Sequence, residues 1–146
     1  MFGMHTHYAV NGGQGRVLLV DDEEAIRRPI VLSLRNAGYD VVEAEDGEQA
    51  IRALNAGDNP LMVDTILCDL RMPKINGTEA IAYFRKQYPS VPVVVLTGNP
   101  NVELAVSLMK QGVQEYLVKP VSKDKLLSVL KNSVDKPVIL KAQFAA

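Results

Sequence analysis

The amino-acid sequence predicts an α/β fold, in which five parallel strands form a doubly wound sheet with helices on both faces. Short apolar runs alternate five times along the chain with stretches whose apolar residues recur every three or four positions, as strands and amphipathic helices do. The apolar runs are largely continuous, which is typical of parallel strands that are buried on both faces.

Each predicted strand is a run of three or four residues in which β-branched side chains are common, as expected for a buried strand. The runs are Val17–Val20, Tyr39–Val42, Thr65–Cys68, Val93–Leu96 and Tyr116–Val118.

Five predicted helices follow the strands, one after each. Their apolar positions are Ile26, Ile30, Leu34 and Ala37, then Ala50, Ile51 and Leu54, then Ala80, Ile81 and Phe84, then Leu104, Ala105 and Leu108, and finally Leu126, Leu127 and Leu130.

The ends of the helices carry the expected residues. Asp46 and Ser122 precede the second and fifth helices, where their side chains can accept hydrogen bonds from the first turn. Pro29 falls inside the first helix, which it either kinks or begins. Glycines, which tolerate the left-handed conformation used at helix ends, are Gly38, Gly57 and Gly112.

The length and composition fit one globular domain. The chain has 146 residues and a formal charge of −1, which argues against binding nucleic acid through bulk charge. Its apolar runs are far shorter than the roughly 20 residues that cross a bilayer, so no membrane association is expected. A single cysteine, Cys68, excludes an internal disulfide and suits the cytoplasm. We expect a flexible tail over 1–15, a domain over 16–132, and an extension or linker over 133–146.

Polar side chains follow four of the predicted strands. Right-handed crossovers place the carboxyl ends of parallel strands at one edge of the sheet, where ligands bind. The residues concerned are Asp21 and Asp22 after the first strand, Asp69 after the third, Thr97 after the fourth and Lys119 after the fifth.

Three clustered carboxylates favour a hard divalent cation, because like charges otherwise oppose one another's ionisation. Mg²⁺ takes oxygen ligands and phosphate oxygens, and the ammonium of Lys119 neutralises further charge. This combination suits phosphoryl transfer, with Asp69 as the nucleophile. Taken singly, each residue has a plainer explanation: Asp21 and Asp22 as helix caps, Asp69 and Thr97 as turn residues, and Lys119 as an exposed lysine.

The chain resembles the receiver domain of two-component response regulators over residues 16–132. Four motifs in order carry the resemblance, and together they are highly specific. They are Val17–Glu23, Ile66–Pro73 followed by Gly77, Val94–Gly98 and Tyr116–Pro120. The resemblance implies a flavodoxin-like (βα)5 fold with the strand order 2-1-3-4-5.

The resemblance also implies roles for the acidic residues. Asp69 is similar to the phosphoacceptor that receives a phosphoryl group from a histidine kinase or a phosphotransfer protein. Asp22 resembles a direct Mg²⁺ ligand, and Asp21 one that acts largely through water. The backbone carbonyl of Arg71 would be a further ligand.

The same resemblance implies a switch. Thr97 matches the hydroxyl that turns toward the phosphoryl group, and Lys119 pairs with that group, with a cis bond to Pro120. Tyr116 matches the aromatic residue that becomes buried on activation, although an aromatic in a strand is more commonly core. The surface of the fourth helix, fifth strand and fifth helix then changes, and two copies can pair through it.

Two other functions stay open. A Mg²⁺-dependent phosphohydrolase with an aspartate nucleophile would need a second aspartate at position 71, where this chain has arginine. A receiver-like binding module that is never phosphorylated would not need the full set of site residues. As a switch, the domain would catalyse only its own phosphorylation and dephosphorylation.

Overall fold

The computed structural model describes residues 13–70 and 77–133. Within them, five strands form one sheet in the order β2-β1-β3-β4-β5, and all neighbouring strands are parallel. This confirms the predicted α/β fold and strand order. The strands are β1 (Gly15–Val20), β2 (Tyr39–Ala44), β3 (Val63–Asp69), β4 (Val93–Thr97) and β5 (Glu115–Val118).

Helices connect the strands. The last of them, α5, covers 123–133, where the described residues end. A single helical turn, Asn59–Met62, precedes β3. The other helices are α1 (Glu24–Asn36), α2 (Gly47–Asn55), α3 (Gly77–Gln87) and α4 (Val102–Lys110).

The predicted helix ends are confirmed. The Asp46 carboxylate accepts a hydrogen bond from the backbone N–H of Gln49 at 2.8 Å, and the Ser122 hydroxyl accepts one from the N–H of Lys125 at 3.1 Å. Glycines with positive φ end α1 and α2 and follow α4, and they are Gly38, Gly57 and Gly112.

Two apolar cores lie on opposite faces of the sheet. One face packs against α2, α3 and α4 through residues such as Leu54, Phe84 and Leu108. The other packs against α1 and α5 through residues such as Leu34 and Leu130. Because both faces are covered, the strands carry continuous apolar runs.

The buried face of α1 agrees with the prediction in part. Its buried residues are Arg27, Val31 and Leu34, whereas Ile26 and Ile30 are only partly buried. Ile30 and Ala37 nonetheless pack against the core with Leu34, as predicted, and Arg27 is buried beside them. Pro29 lies inside α1 and does not begin it.

Two residues at the predicted domain boundaries lie in regular elements. Ser133, predicted to begin the extension, is the last described residue of α5. Gly15, predicted to belong to the tail, is the first residue of β1 and is aligned with Tyr39 of β2. The rest of the predicted tail and extension falls mainly in 1–12 and 134–146, which lie outside the described residues. No helix in the described part of the chain has both the length and the apolar character needed to cross a bilayer.

Candidate functional site

The carboxyl ends of the strands bring the predicted site residues to one edge of the sheet. Val20 of β1 is aligned with Cys68 of β3, so the next residues, Asp21 and Asp69, leave their strands side by side. Thr97 is the last residue of the neighbouring strand β4. The full set consists of Asp21, Asp22, Asp69, Thr97 and Lys119.

Three carboxylates converge at this edge. Each of Asp21, Asp22 and Asp69 offers one oxygen, and these three oxygens lie within 4.8 Å of one another. Asp21 and Asp69 are buried, whereas Asp22 is exposed. This donor set fits a hard divalent cation, which prefers oxygen ligands and keeps several waters on its open side.

The ammonium of Lys119 bridges two of the carboxylates. Its Nζ donates hydrogen bonds to Asp21 Oδ2 at 2.9 Å and to Asp69 Oδ2 at 3.3 Å. Partial burial lowers the pKa of Lys119, but the hydrogen bonds and negative charges of the two aspartates outweigh it and raise the pKa above its ordinary value. The lysine is therefore a fixed positive charge within the acidic cluster.

The plainer explanations of two residues are wrong. Lys119 is paired and largely buried rather than free in solvent. The N-cap of α1 is Glu23, which makes no side-chain capping bond, and Asp21 Oδ1 instead accepts the N–H of Glu23 at 3.0 Å. With one oxygen held by this N–H and the other by Lys119, Asp21 is held at both ends of its carboxylate.

Thr97 and Tyr116 are both tied to the loop between β4 and α4. The buried hydroxyl of Thr97 accepts a hydrogen bond from the N–H of Asn99 at 3.1 Å. The hydroxyl of Tyr116 accepts one from the N–H of Asn101 at 3.3 Å. Tyr116 is partly buried against the core, so its side chain is neither fully exposed nor fully buried.

The end of β3 is packed closely against the start of α3. An added Cβ on Gly77 would lie 2.5 Å from the Cα of Leu70 and 2.7 Å from the carbonyl oxygen of Asp69. Glycine is therefore required for the backbone to approach the end of β3 this closely. The predicted carbonyl ligand, Arg71, lies outside the described residues.

Cys68 precedes Asp69 and is fully buried. Burial, together with the negative charges of Asp69 and Asp21, raises the pKa of the thiol well above its ordinary value. The protonated thiol is a poor nucleophile.

Sequence reasoning missed Arg27, which lies directly behind the site. This buried side chain donates a hydrogen bond from Nη1 to the backbone oxygen of Asp21 at 2.7 Å. Because it is followed by the exposed Arg28 on an otherwise amphipathic helix, the sequence offers no signal that distinguishes the two arginines.

A profile of the response regulator receiver domain matches residues 17–131. The chain belongs to the response regulator receiver domain family. Receiver domains of two-component systems interact with histidine kinases or phosphotransfer proteins, and the acidic cluster is of the kind at which they bind Mg²⁺.

Two curated relatives illustrate the similarity. The receiver domain is 36% identical over 119 residues, 82% of this chain, to the transcriptional regulatory protein GlrR of Escherichia coli. It is 41% identical over 113 residues, 77% of this chain, to the alginate biosynthesis transcriptional regulatory protein AlgB of Pseudomonas aeruginosa. The chain spans only 26% and 24% of the lengths of these relatives.

Solved structures agree with the fold. A receiver domain protein from Clostridium thermocellum superposes with a TM-score of 0.81 at 29% identity, covering 86% of this chain and 98% of the other. A receiver protein from Pseudomonas putida gives a TM-score of 0.75 at 32% identity, covering 81% and 96%.

Proposed function

We propose that this receiver domain is a phosphorylation-activated switch, in which Asp69 accepts a phosphoryl group from a histidine kinase or a phosphotransfer protein with the help of Mg²⁺. The observation that carries the proposal is the convergence of three carboxylate oxygens within 4.8 Å, with the ammonium of Lys119 donating to two of those carboxylates. An acidic cluster with a fixed lysine can accept a metal ion and a phosphoryl group together.

Asp69 is the preferred nucleophile among the three. Both oxygens of Asp21 already accept hydrogen bonds from Lys119 and the N–H of Glu23, and Asp22 is exposed in the loop that follows β1. Asp69 ends the central strand β3 and is anchored by its pairing with β4. A nucleophile fixed in this way loses little freedom when the reaction begins.

The metal roles follow from the same contacts. The exposed carboxylate of Asp22 is suited to direct coordination of Mg²⁺, and the fully engaged carboxylate of Asp21 to coordination through water. Asp69 and the carbonyl of Arg71 complete the proposed ligand set. When bound, Mg²⁺ neutralises the charge of the phosphoryl oxygens.

In the proposed reaction, a carboxylate oxygen of Asp69 attacks the phosphorus of a phosphohistidine. The phosphorus–nitrogen bond breaks, and its electron pair leaves with the imidazole. Lys119 stays beside the new acyl phosphate and offsets its charge. Attack of water on the phosphorus later restores the carboxylate and releases inorganic phosphate, so the domain catalyses only its own modification and its reversal.

The phosphoryl group then offers an anionic acceptor to the O–H of Thr97. A hydrogen bond donated to a charged oxygen is stronger than the neutral one that Thr97 accepts from the N–H of Asn99, so it draws Thr97 inward. This movement opens space for Tyr116. Both residues bond to the loop before α4, so the change reaches the surface of α4, β5 and α5.

The surface of α4 and β5 already exposes large apolar side chains, which suit a protein partner or a second copy of the domain. These side chains are Val102, Val106, Met109 and Val118. We propose that this surface carries the output. A reduced, buried Cys68 fits the cytoplasm as the compartment in which the domain meets its kinase.

Intact-protein mass spectrometry after incubation with Mg²⁺ and acetyl phosphate tests the proposal. We expect one phosphoryl adduct that hydroxylamine removes, because hydroxylamine cleaves acyl phosphates. Asp69→Asn should remove the adduct and keep the fold, whereas Asp124→Asn, a matched change in the exposed first turn of α5, should leave it unchanged.

An adduct that survives Asp69→Asn would contradict the assignment of the acceptor. Turnover of a generic aryl phosphate at enzymatic rates would favour a phosphohydrolase instead. Absence of an adduct together with failure to bind beryllofluoride would favour a module that is never phosphorylated.

A further inference from the structure

Arg27 is a buried cation that joins three elements behind the acidic cluster. It projects from α1 and is only 6% exposed. Its Nη1 donates to the backbone oxygen of Asp21 at 2.7 Å, and its Nε donates to Glu43 Oε1 at 2.9 Å. Its Nη2 lies 3.9 Å from Glu45 Oε1. The side chain therefore links the end of β1 to the end of β2.

The carbonyl that Arg27 holds belongs to the peptide between the two adjacent aspartates of the cluster. Because the peptide group is planar, fixing the oxygen of Asp21 also fixes the N–H of Asp22 and the direction in which the chain leaves β1. The N–H of Asp21 is held as well, since it donates to the oxygen of Ala44 at 3.1 Å.

The two aspartates differ in how their carboxylates are restrained. That of Asp21 is held by Lys119 and by the N–H of Glu23. Among the described residues, no hydrogen bond or ion pair restrains the carboxylate of Asp22. The position of this carboxylate depends on the backbone. Arg27 restrains that backbone at the oxygen of Asp21, together with the hydrogen bonds from the N–H groups of Asp21 and Glu23.

We propose that Arg27 is a positioning residue for the metal site, which it organises by holding the peptide between Asp21 and Asp22 against β2. The planar guanidinium makes this role specific. It places two N–H donors in a fixed geometry toward a carbonyl and a carboxylate at once, which an ammonium cannot reproduce. The inference rests on the proposed Mg²⁺ site and adds a residue that determines its affinity.

The test measures Mg²⁺ affinity directly, by calorimetric titration of the unphosphorylated protein. Removing groups that orient metal ligands typically weakens metal affinity 10- to 100-fold. Because Arg27 acts through the backbone, we expect Arg27→Met to raise the Kd for Mg²⁺ about tenfold, at the low end of that range. Arg27→Lys should fall between this variant and the wild type.

Arg28→Met is the matched control. Arg28 is the next residue of the same helix, is exposed, and pairs only with Glu24 one turn earlier among the described residues. We expect its Kd for Mg²⁺ to equal that of the wild type. Glu43→Ala provides a second variant, should Arg27→Met not fold, because it frees one side of the guanidinium without burying a new group. Glu43→Ala should also raise the Kd for Mg²⁺.

A second readout separates positioning from general damage to the fold. With acetyl phosphate as the donor, Arg27→Met should need more Mg²⁺ for half-maximal phosphorylation, yet reach a maximal rate at saturating Mg²⁺ within about twofold of the wild type. A maximal rate that falls in step with loss of the folded fraction would mean that Arg27 is only structural, and would overturn the inference.

The remaining outcomes are also decisive. An unchanged Kd in folded Arg27→Met overturns the inference and leaves the proposed function intact. A wild-type protein that binds no Mg²⁺ and accepts no phosphoryl group overturns the proposed function, and the inference with it.

Discussion

The contact between Gly77 and the end of β3 allows a quantitative test of how the site is built. In Gly77→Ala, the new methyl carbon would lie 2.5 Å from the Cα of Leu70 and 2.7 Å from the backbone oxygens of Asp69 and Leu70. Carbon atoms pack best about 3.5–4.0 Å apart, so the first contact is short by at least about 1 Å. All three atoms belong to the backbone, which cannot rotate away as a side chain can.

Overpacking of this kind costs about 1–3 kcal/mol. Loss of freedom in the unfolded chain returns about 0.4–1 kcal/mol when glycine becomes alanine. The difference spans about 0–2.6 kcal/mol. Because three backbone contacts are short at once, we expect Gly77→Ala to lower the free energy of unfolding by about 1–2 kcal/mol. At about 3–5 °C per kcal/mol in a domain of this size, the melting temperature should fall by about 3–10 °C. Equilibrium unfolding in urea, followed by circular dichroism, measures the change.

Two other glycines separate the possible causes. Among the residues that the structure describes, nothing lies within 4 Å of a Cβ added to Gly98, so Gly98→Ala should be neutral or slightly stabilising. Gly57 has the same open space but a φ of +55°, so Gly57→Ala should cost about 1 kcal/mol from backbone strain alone. If Gly77→Ala were as stable as Gly98→Ala, the reasoning from close contact would be refuted. The rate of phosphorylation of Gly77→Ala should also fall, because the end of β3 that carries Asp69 must move to make room for the new methyl group.

Two further predictions concern stability. Thr65→Val should raise the free energy of unfolding by about 1 kcal/mol in a urea titration, because the buried hydroxyl of Thr65 has no hydrogen-bond partner in the described part of the chain. Ser133→Ala removes a hydroxyl that donates to the oxygen of Val129 and should not stabilise the fold, so equal gains in the two variants would contradict the prediction. Because the pKa of Lys119 is raised in the folded state, its ammonium stabilises the fold fully below its ordinary pKa of about 10.4, and this contribution is lost as the pH rises through the higher folded value. Urea midpoints compared across alkaline pH should therefore fall more in the wild type than in Lys119→Met, and parallel curves would show that the pairing with the aspartates does not matter.

The chemistry of the site could be predicted from the sequence because it depends on local features. An apolar run identifies a strand, and the residue after the run is at its carboxyl end. Parallel strands joined by right-handed crossovers share one edge for these ends. Asp21, Asp69, Thr97 and Lys119 could therefore be grouped without knowing any distance between them.

Contacts between elements could not be predicted in this way. The pattern of Ile26, Ile30 and Leu34 predicted the helix and most of the face that packs on the core. It did not reveal that Arg27 is buried beside that face, because apolar periodicity counts an arginine as solvent-facing. Arg27 is buried because its hydrogen-bond partners lie at the ends of β1 and β2. The residues of α1 alone do not predict these partners.

The sequence by itself determined the class of fold, the order of its elements and the residue types at the functional edge. The tertiary structure decided which atoms meet there: that the ammonium of Lys119 lies between Asp21 and Asp69, that Gly77 leaves no space for a Cβ, and that Arg27 holds the backbone of the acidic pair. Elements follow from short-range preferences along the chain, whereas these contacts join residues up to 98 positions apart and arise only when the sheet and both helical layers have packed.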